Sequence, residues 1–126
     1  PPSELSRTVA AFREGGGEGK PMRVQAALSL GRTQEEAVAA AHRHWGHAGL
    51  SITEQQDVET PSDFDRHAAK HRKQETAQSI RVSADLDEHK NWIRGDLQIG
   101  FETVYLHYVG DGIEDFIERM GDIQRC

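Results

Sequence analysis

From Met22 to Leu30 the chain follows a two-residue rhythm. Val24, Ala26, Leu28 and Leu30 alternate with Arg23, Gln25, Ala27 and Ser29, a two-residue period that predicts a β-strand. Ahead of it, Leu5, Val9 and Phe12 fall on one face of a helix over Glu4 to Glu14, with Ser3 placed to cap it. The run from Gly15 to Gly19 supplies the left-handed backbone that ends a helix, and Pro21 blocks its continuation. After the strand, Gly31-Arg32 turns the chain. Thr33 with Glu36 forms a capping box for a helix running to Trp45, and Gly46 ends it. His47 to Glu59 carries no clean period. Thr60-Pro61 opens another helix to about Lys70, with a further turn over Gln74 to Gln78. Ile80 to Ser83 is a short strand. Asp85 with Glu88 then caps a helix to Gln98, which is expected to bury Leu86, Trp92, Ile93 and Leu97.

The last third, GDLQIGFETVYLHYVGDGIEDFIERMGD, packs helix, Gly100, strand (Phe101 to Tyr108), Gly110 and helix with almost no loop between them. Asp111 with Glu114 is expected to cap the final helix, and Ile113, Phe116, Ile117 and Met120 form its apolar face. Every strand is separated from the next by helix, so the sheet is expected to be parallel. The fold class is α/β. Three βα units with a preceding helix match the C-terminal part of a (β/α)8 TIM barrel, and periodicity alone fits an open three-layer sheet nearly as well.

The chain has 126 residues, against about 250 for a whole (β/α)8 barrel. It opens Pro-Pro-Ser without an initiator Met. Residues 1–126 are therefore expected to be a single partial-barrel domain belonging to a longer chain. With 36% apolar and 29% charged residues and a mean hydropathy of −0.71, it is hydrophilic for a sheet covered on both sides. A globular piece lacking partner surface accounts for that. Its strand edges would be exposed, so a homo-oligomer is expected. The net charge of −6 and the lack of a basic stripe argue against a nucleic-acid partner. No apolar run reaches the ~20 residues that span a membrane. A single cysteine, Cys126, excludes an internal disulfide framework and agrees with a cytoplasmic protein.

Barrel chemistry sits where strands end. Those points here are Ser29-Leu30-Gly31, Ser83-Ala84-Asp85 and His107-Tyr108-Val109-Gly110. His107 is the candidate catalytic residue, able to hydrogen-bond a substrate oxygen or relay a proton. Ser83 and Asp85 are read as helix-capping groups. The helix starts at Asp85 and Asp111 are guarded by carboxylates, which argues against phosphate there. The Gly15–Gly19 loop lacks the Lys-Ser/Thr and the helix that a phosphate loop needs. Asp63, His67 and His71 share a helix face, but H-E-x-x-H is absent and the face is read as solvated. His42, His44 and His47 surround Trp45 without converging. No metal site is expected, and Cys126 has no neighbour that would activate it.

The closing segment resembles the phrase GF-x-x-(I/V)-YLH-x-VG with which luciferase-like flavin monooxygenase barrels commonly end. Three further blocks resemble the same superfamily in the expected order: AFREGGGEGKPMRVQAALSL, ETPSDFDRHAA and IRVSADLDEHKNWI. The branch they are most similar to is that of flavin-using relatives of deazaflavin-dependent glucose-6-phosphate dehydrogenase. The resemblance implies an oxidoreductase or monooxygenase that binds FMN, or alternatively a deazaflavin coenzyme, at the C-terminal mouth of the barrel. It also implies a small-molecule substrate that exchanges hydride or electrons with that cofactor. Most of such a site comes from strands upstream of this segment. The 126 residues by themselves are thus expected to bind no cofactor tightly and to be inactive. The rival reading is a non-catalytic α/β interaction module that homodimerises through its exposed sheet.

Overall fold

A computed structural model of the chain describes residues 2–46, 52–70 and 73–121. Helix α1 (Pro2–Phe12) runs into a widened π-helical turn over Arg13–Gly17. It is followed by β1 (Arg23–Leu30), α2 (Gln34–Trp45), α3 (Ile52–Gln56), α4 (Pro61–Lys70) and α5 (Lys73–Ser79). The chain closes with β2 (Arg81–Ser83), α6 (Leu86–Ile99), β3 (Thr103–Tyr108) and α7 (Ile113–Met120). The three strands are parallel in the order β2-β1-β3, so β1 is central and the β2-to-β3 connection passes over it.

The alternation along β1 sends its side chains to two different cores. On one face Leu28 and Leu30 meet Ile93 of α6 and Phe116 and Met120 of α7, with Leu86, Val104 and Tyr108 packed against them. The phenol ring of Tyr108 stacks on Phe116 at 4.2 Å. Burying Leu28 completely is worth roughly 1.5–3 kcal/mol. On the other face Ala37 and Ala41 of α2 close on Ile80, Val82 and Val109, with Ala27, Val38, Trp45 and Ala77 alongside. Small residues let α2 lie close to the sheet. Ser29 is buried between strand and helix, and its Oγ donates to the Ala37 carbonyl at 2.8 Å.

Several helix ends follow the local rules. Thr33 Oγ1 accepts from the Glu36 amide, although Glu36 returns its carboxylate to the Arg32 amide and not to Thr33. Asp85 Oδ1 accepts from the Asp87 amide. The Glu88 half of that expected box goes elsewhere, to Ser83 Oγ at 2.5 Å. Gly100 adopts φ 118° and closes α6 as a left-handed C-cap, with the Phe101 amide reaching back to the Asp96 carbonyl. Gly16 and Gly19 take the positive φ expected of the glycine loop.

Other expectations change. Ser3 lies inside α1, not before it. A short helix, α3, occupies part of the aperiodic stretch after His47. Leu97 is 48% exposed and Trp92 only half buried, because α6 turns a narrower face to the sheet than its apolar pattern suggests. On α7, Phe116 and Met120 are buried while Ile113 and Ile117 stand 54% and 61% exposed. The N-cap of α7 is Gly112, at φ 69° with no side-chain cap. Asp111 does not cap it, because its carboxylate is held by Arg43 and His44.

Candidate active-site face

The C-terminal ends of the strands are built by close approach. The Gly31 α-carbon faces α2 so tightly that a Cβ would lie 2.5 Å from the Ala37 nitrogen. At Gly110 a Cβ would meet Tyr108 Oη at 2.6 Å and Ser29 Oγ at 2.7 Å. Tyr108 Oη reaches two carbonyls, Leu30 at 2.9 Å and Asp111 at 2.5 Å, which share its one proton. Burial raises the phenol's pKa above its ordinary value, so it remains a donor.

His107 is the penultimate residue of β3, in register with Ala27 of β1, and lies half-buried on the α2 face. Its Nδ1 lies 3.3 Å from the Gln25 side-chain nitrogen. An amide nitrogen donates, so in this arrangement Nδ1 is the acceptor of the pair. The ring of Trp45, at the end of α2, meets the imidazole edge-to-face at 4.6 Å and 84°. Tyr105 lies two residues earlier on the same strand, hence on the same face, and is 54% exposed. The result is a wall of one imidazole, one primary amide and two aromatic rings. It can hydrogen-bond an oxygen and lie against a flat ring. Gln25 and Trp45 were not singled out by sequence reasoning. Local pattern carried no signal for either, since Gln25 falls on the polar phase of the β1 alternation.

The remaining strand-end groups are engaged in structure. Ser83 Oγ accepts from the Asp85 amide at 3.0 Å while donating to Glu88. His89, 1% exposed, donates from Nε2 to the Ser83 carbonyl at 3.2 Å. Its Nδ1 is buried without a partner, and its ring meets Trp92 edge-to-face. Burial pushes the His89 pKa below its ordinary value. Asp111 titrates below the usual carboxylate range, first because His44 and then because Arg43 hydrogen-bonds it. Arg81 and Asp96 form a two-pronged pair at 2.7 and 2.8 Å, with Asp96 3% exposed.

Among the described residues the members of the histidine groupings have separate partners. Asp63 Oδ2 accepts from the Thr60 hydroxyl and from the Glu59 and Thr60 amides. These bonds, the Thr60 hydroxyl first, hold its pKa below the ordinary value and make it the start of α4. His71 lies outside the described residues. His42 bonds Thr76 Oγ1 at 2.9 Å and His44 bonds Asp111, while His47 is not among the described residues. Among the described residues no group of three or more metal-competent side chains assembles. Among them, too, no helix is long and apolar enough to cross a membrane. Cys126 lies outside them.

No family model matches the sequence, and no curated protein does. Solved structures do. An F420-dependent secondary alcohol dehydrogenase in complex with an F420-acetone adduct superimposes with a TM-score of 0.78 at 18% identity, covering 97% of this chain and 39% of that one. The chain thus spans about two fifths of the length of that protein. At this identity the likeness is one of fold, and the architecture is that of a partial TIM barrel of the α/β class.

Proposed function

We propose that the chain is a segment of a luciferase-like oxidoreductase that exchanges hydride or electrons between a flavin-type cofactor and a small molecule. The observation that carries this reading is the fold match over 97% of the chain to an F420-dependent enzyme. The phrase Tyr105-Leu106-His107-Tyr108-Val109-Gly110 adds support, because it falls where β3 ends. The ETPSDFDRHAA and IRVSADLDEHKNWI blocks favour the branch near deazaflavin-dependent glucose-6-phosphate dehydrogenase. The sequence resemblance makes FMN the first-choice cofactor; the F420 dependence of the structural neighbour supports a deazaflavin as the alternative.

Part of such a site fits the residues present and part does not. His107, Gln25, Trp45 and Tyr105 form a face able to meet a flat ring and its oxygens. Within it, His107 would hold or pass a proton at Nε2. The helix starts do not fit a phosphate. Asp85 caps α6 with a carboxylate, and the Asp111 carboxylate sits one residue before the N-cap of α7. The phosphate side of the site is therefore assigned to the part of the barrel that this chain does not span. By itself the segment is expected to be inactive and to bind flavin weakly.

Fluorescence titration of FMN and of F420 with a barrel-length polypeptide containing this sequence tests the reading. One of the two is expected to bind at low micromolar concentration, and failure of both sinks the proposal. Stoichiometric binding by the 126 residues alone would place the whole site within them. That result would favour a self-contained module over a segment.

A further inference from the structure

Helix α7 opens without the cap that its sequence supplies. Asp111 and Glu114 have the spacing of a capping box, yet the N-cap is Gly112, with no side-chain bond to the helix. The Asp111 carboxylate is turned away, to the last turn of α2. There Oδ1 accepts from His44 Nε2 at 2.7 Å and Oδ2 accepts from Arg43. Helix α7 thereby forgoes the amide partner that an aspartate at its start ordinarily provides. Added stability does not explain the exchange. Arg43, His44 and Asp111 are 57%, 47% and 62% exposed, and ion pairs this open to water contribute little. The explanation lies in what the contact holds in place.

The residue after Arg43 and His44 is Trp45, the last of α2. The last turn of a helix has carbonyls without intrahelical partners and is the part that frays. With two consecutive side chains of that turn tied down, the next residue cannot rotate about the helix axis. Trp45 is the ring that meets His107 edge-to-face at 4.6 Å. Packing against the α2-side core keeps the indole at the sheet; the tie fixes the turn that presents it. The other end of the tie is fixed as well. Asp111 follows His107 by four residues, and its carbonyl accepts from Tyr108 Oη at 2.5 Å. Gly110 fits so closely that a Cβ there would meet Tyr108 and Ser29. The tie thus links the segment that carries His107 to the helix that carries Trp45.

We infer that Asp111 is a positioning residue of the candidate face: by gripping Arg43 and His44 it holds Trp45 in its crossed contact with His107, so that the wall is set before a ligand arrives. The ligand-binding role of the wall rests on the oxidoreductase reading. The tie itself rests only on the geometry of α2 and the turn after β3.

The test uses the 126-residue chain with Trp92→Phe, which leaves Trp45 as its one indole. Two clasp variants are compared in that background, Asp111→Ala and the double change Arg43→Ala with His44→Ala. In both, the fast nanosecond part of the Trp45 anisotropy decay should grow roughly twofold. The His107 ring protons should move toward their random-coil shifts in nuclear magnetic resonance spectra, as the indole leaves. Melting should shift by no more than about 2 °C, since exposed ion pairs contribute little. Asp115→Ala removes another exposed carboxylate, one that pairs with Arg119, and should change neither signal. Unaltered Trp45 and His107 signals in either clasp variant overturn the inference, as does an equal response to Asp115→Ala. Loss of the fold in a clasp variant also overturns it, because the tie would then be a stability element. In a barrel-length polypeptide, Asp111→Ala should weaken binding of whichever of FMN and F420 binds by roughly threefold or more, the cost of a displaced wall. Binding equal to that of the parent overturns the link to the site. Should neither cofactor bind, the proposed function has failed by its own test, and the two spectroscopic readouts still decide whether Asp111 positions Trp45.

Discussion

Gly31, just past β1, and His107, the penultimate residue of β3, make opposite demands. Gly31 is required by space. Its missing side chain lets the α2 backbone come within van der Waals distance, and a Cβ would force the helix away. Gly31→Ala should cost about 1–3 kcal/mol in urea unfolding, as overpacking does; an unchanged midpoint would mean that α2 shifts at no cost. His107 is half exposed and replaceable. Under the proposed oxidoreductase reading, His107→Asn in a barrel-length polypeptide is expected to lower kcat/KM at least tenfold, about 1.4 kcal/mol of transition-state stabilisation, with little change in melting temperature. A lowered Tm with normal kinetics would make it a packing residue beside Trp45. His89 carries a pH dependence whose sign is set by burial. Its pKa in the folded chain lies below the ordinary value near 6.5. As pH falls through about 6.5 the unfolded chain takes up a proton that the folded one resists, so stability declines. Unfolding free energies measured between pH 7.5 and 5.5 should fall, and His89→Leu should remove most of that slope. A slope unchanged in the variant would assign it to another group.

Among elements, the helix boundaries were legible because their signals are local. Thr33, Thr60, Asp85 and Gly100 each act within a few residues of themselves. The alternation of β1 was legible for the same reason. What the pattern did not carry was which apolar face finds a partner. Ile113 and Ile117 sit on the same stripe as Phe116 and Met120, yet remain exposed because the sheet does not extend beneath them. Long-range polar contacts were invisible too. Asp96 occupies a mid-helix position where a solvated carboxylate is the ordinary expectation, and only the tertiary structure brings Arg81 to it. That pair ties α6 to β2, the shortest strand. Asp96→Ala leaves the partly buried Arg81 without its counter-ion and should cost about 3–5 kcal/mol. A loss under 1 kcal/mol in chemical denaturation would show that water replaces the carboxylate. At the candidate site, His107 was visible from its place in the strand. Gln25 and Trp45 were not, because they are contributed by β1 and α2 and meet His107 only after folding.

At the scale of the whole molecule, the sheet has open edges on both sides among the described residues. Among the described residues neither β2 nor β3 has an outer neighbour, and Tyr105 and Leu106 on β3 are 54% and 38% exposed. Exposed edge strands invite pairing. The isolated chain is expected to self-associate through β3. Sedimentation equilibrium at micromolar concentration should give a mass above 14.1 kDa that returns to monomer in Leu106→Lys. A wild-type chain that stays monomeric would remove the dimerising alternative.

The pairing of β1 with β3 has a temporal consequence. Its partners, Arg23 against Thr103 for example, lie some eighty residues apart, and the nearer strand offers only three residues of pairing. During synthesis the longer-paired edge of the central strand therefore stays bare until Thr103–Tyr108 has left the ribosome. Sheet formation depends on closing a long loop, which makes it slow. Through that interval the stretch Val24–Leu30 is the part of the nascent chain most exposed to aggregation and to chaperone capture. A stop codon anywhere before Thr103 would yield a product in which β1 lacks its longest strand pairing.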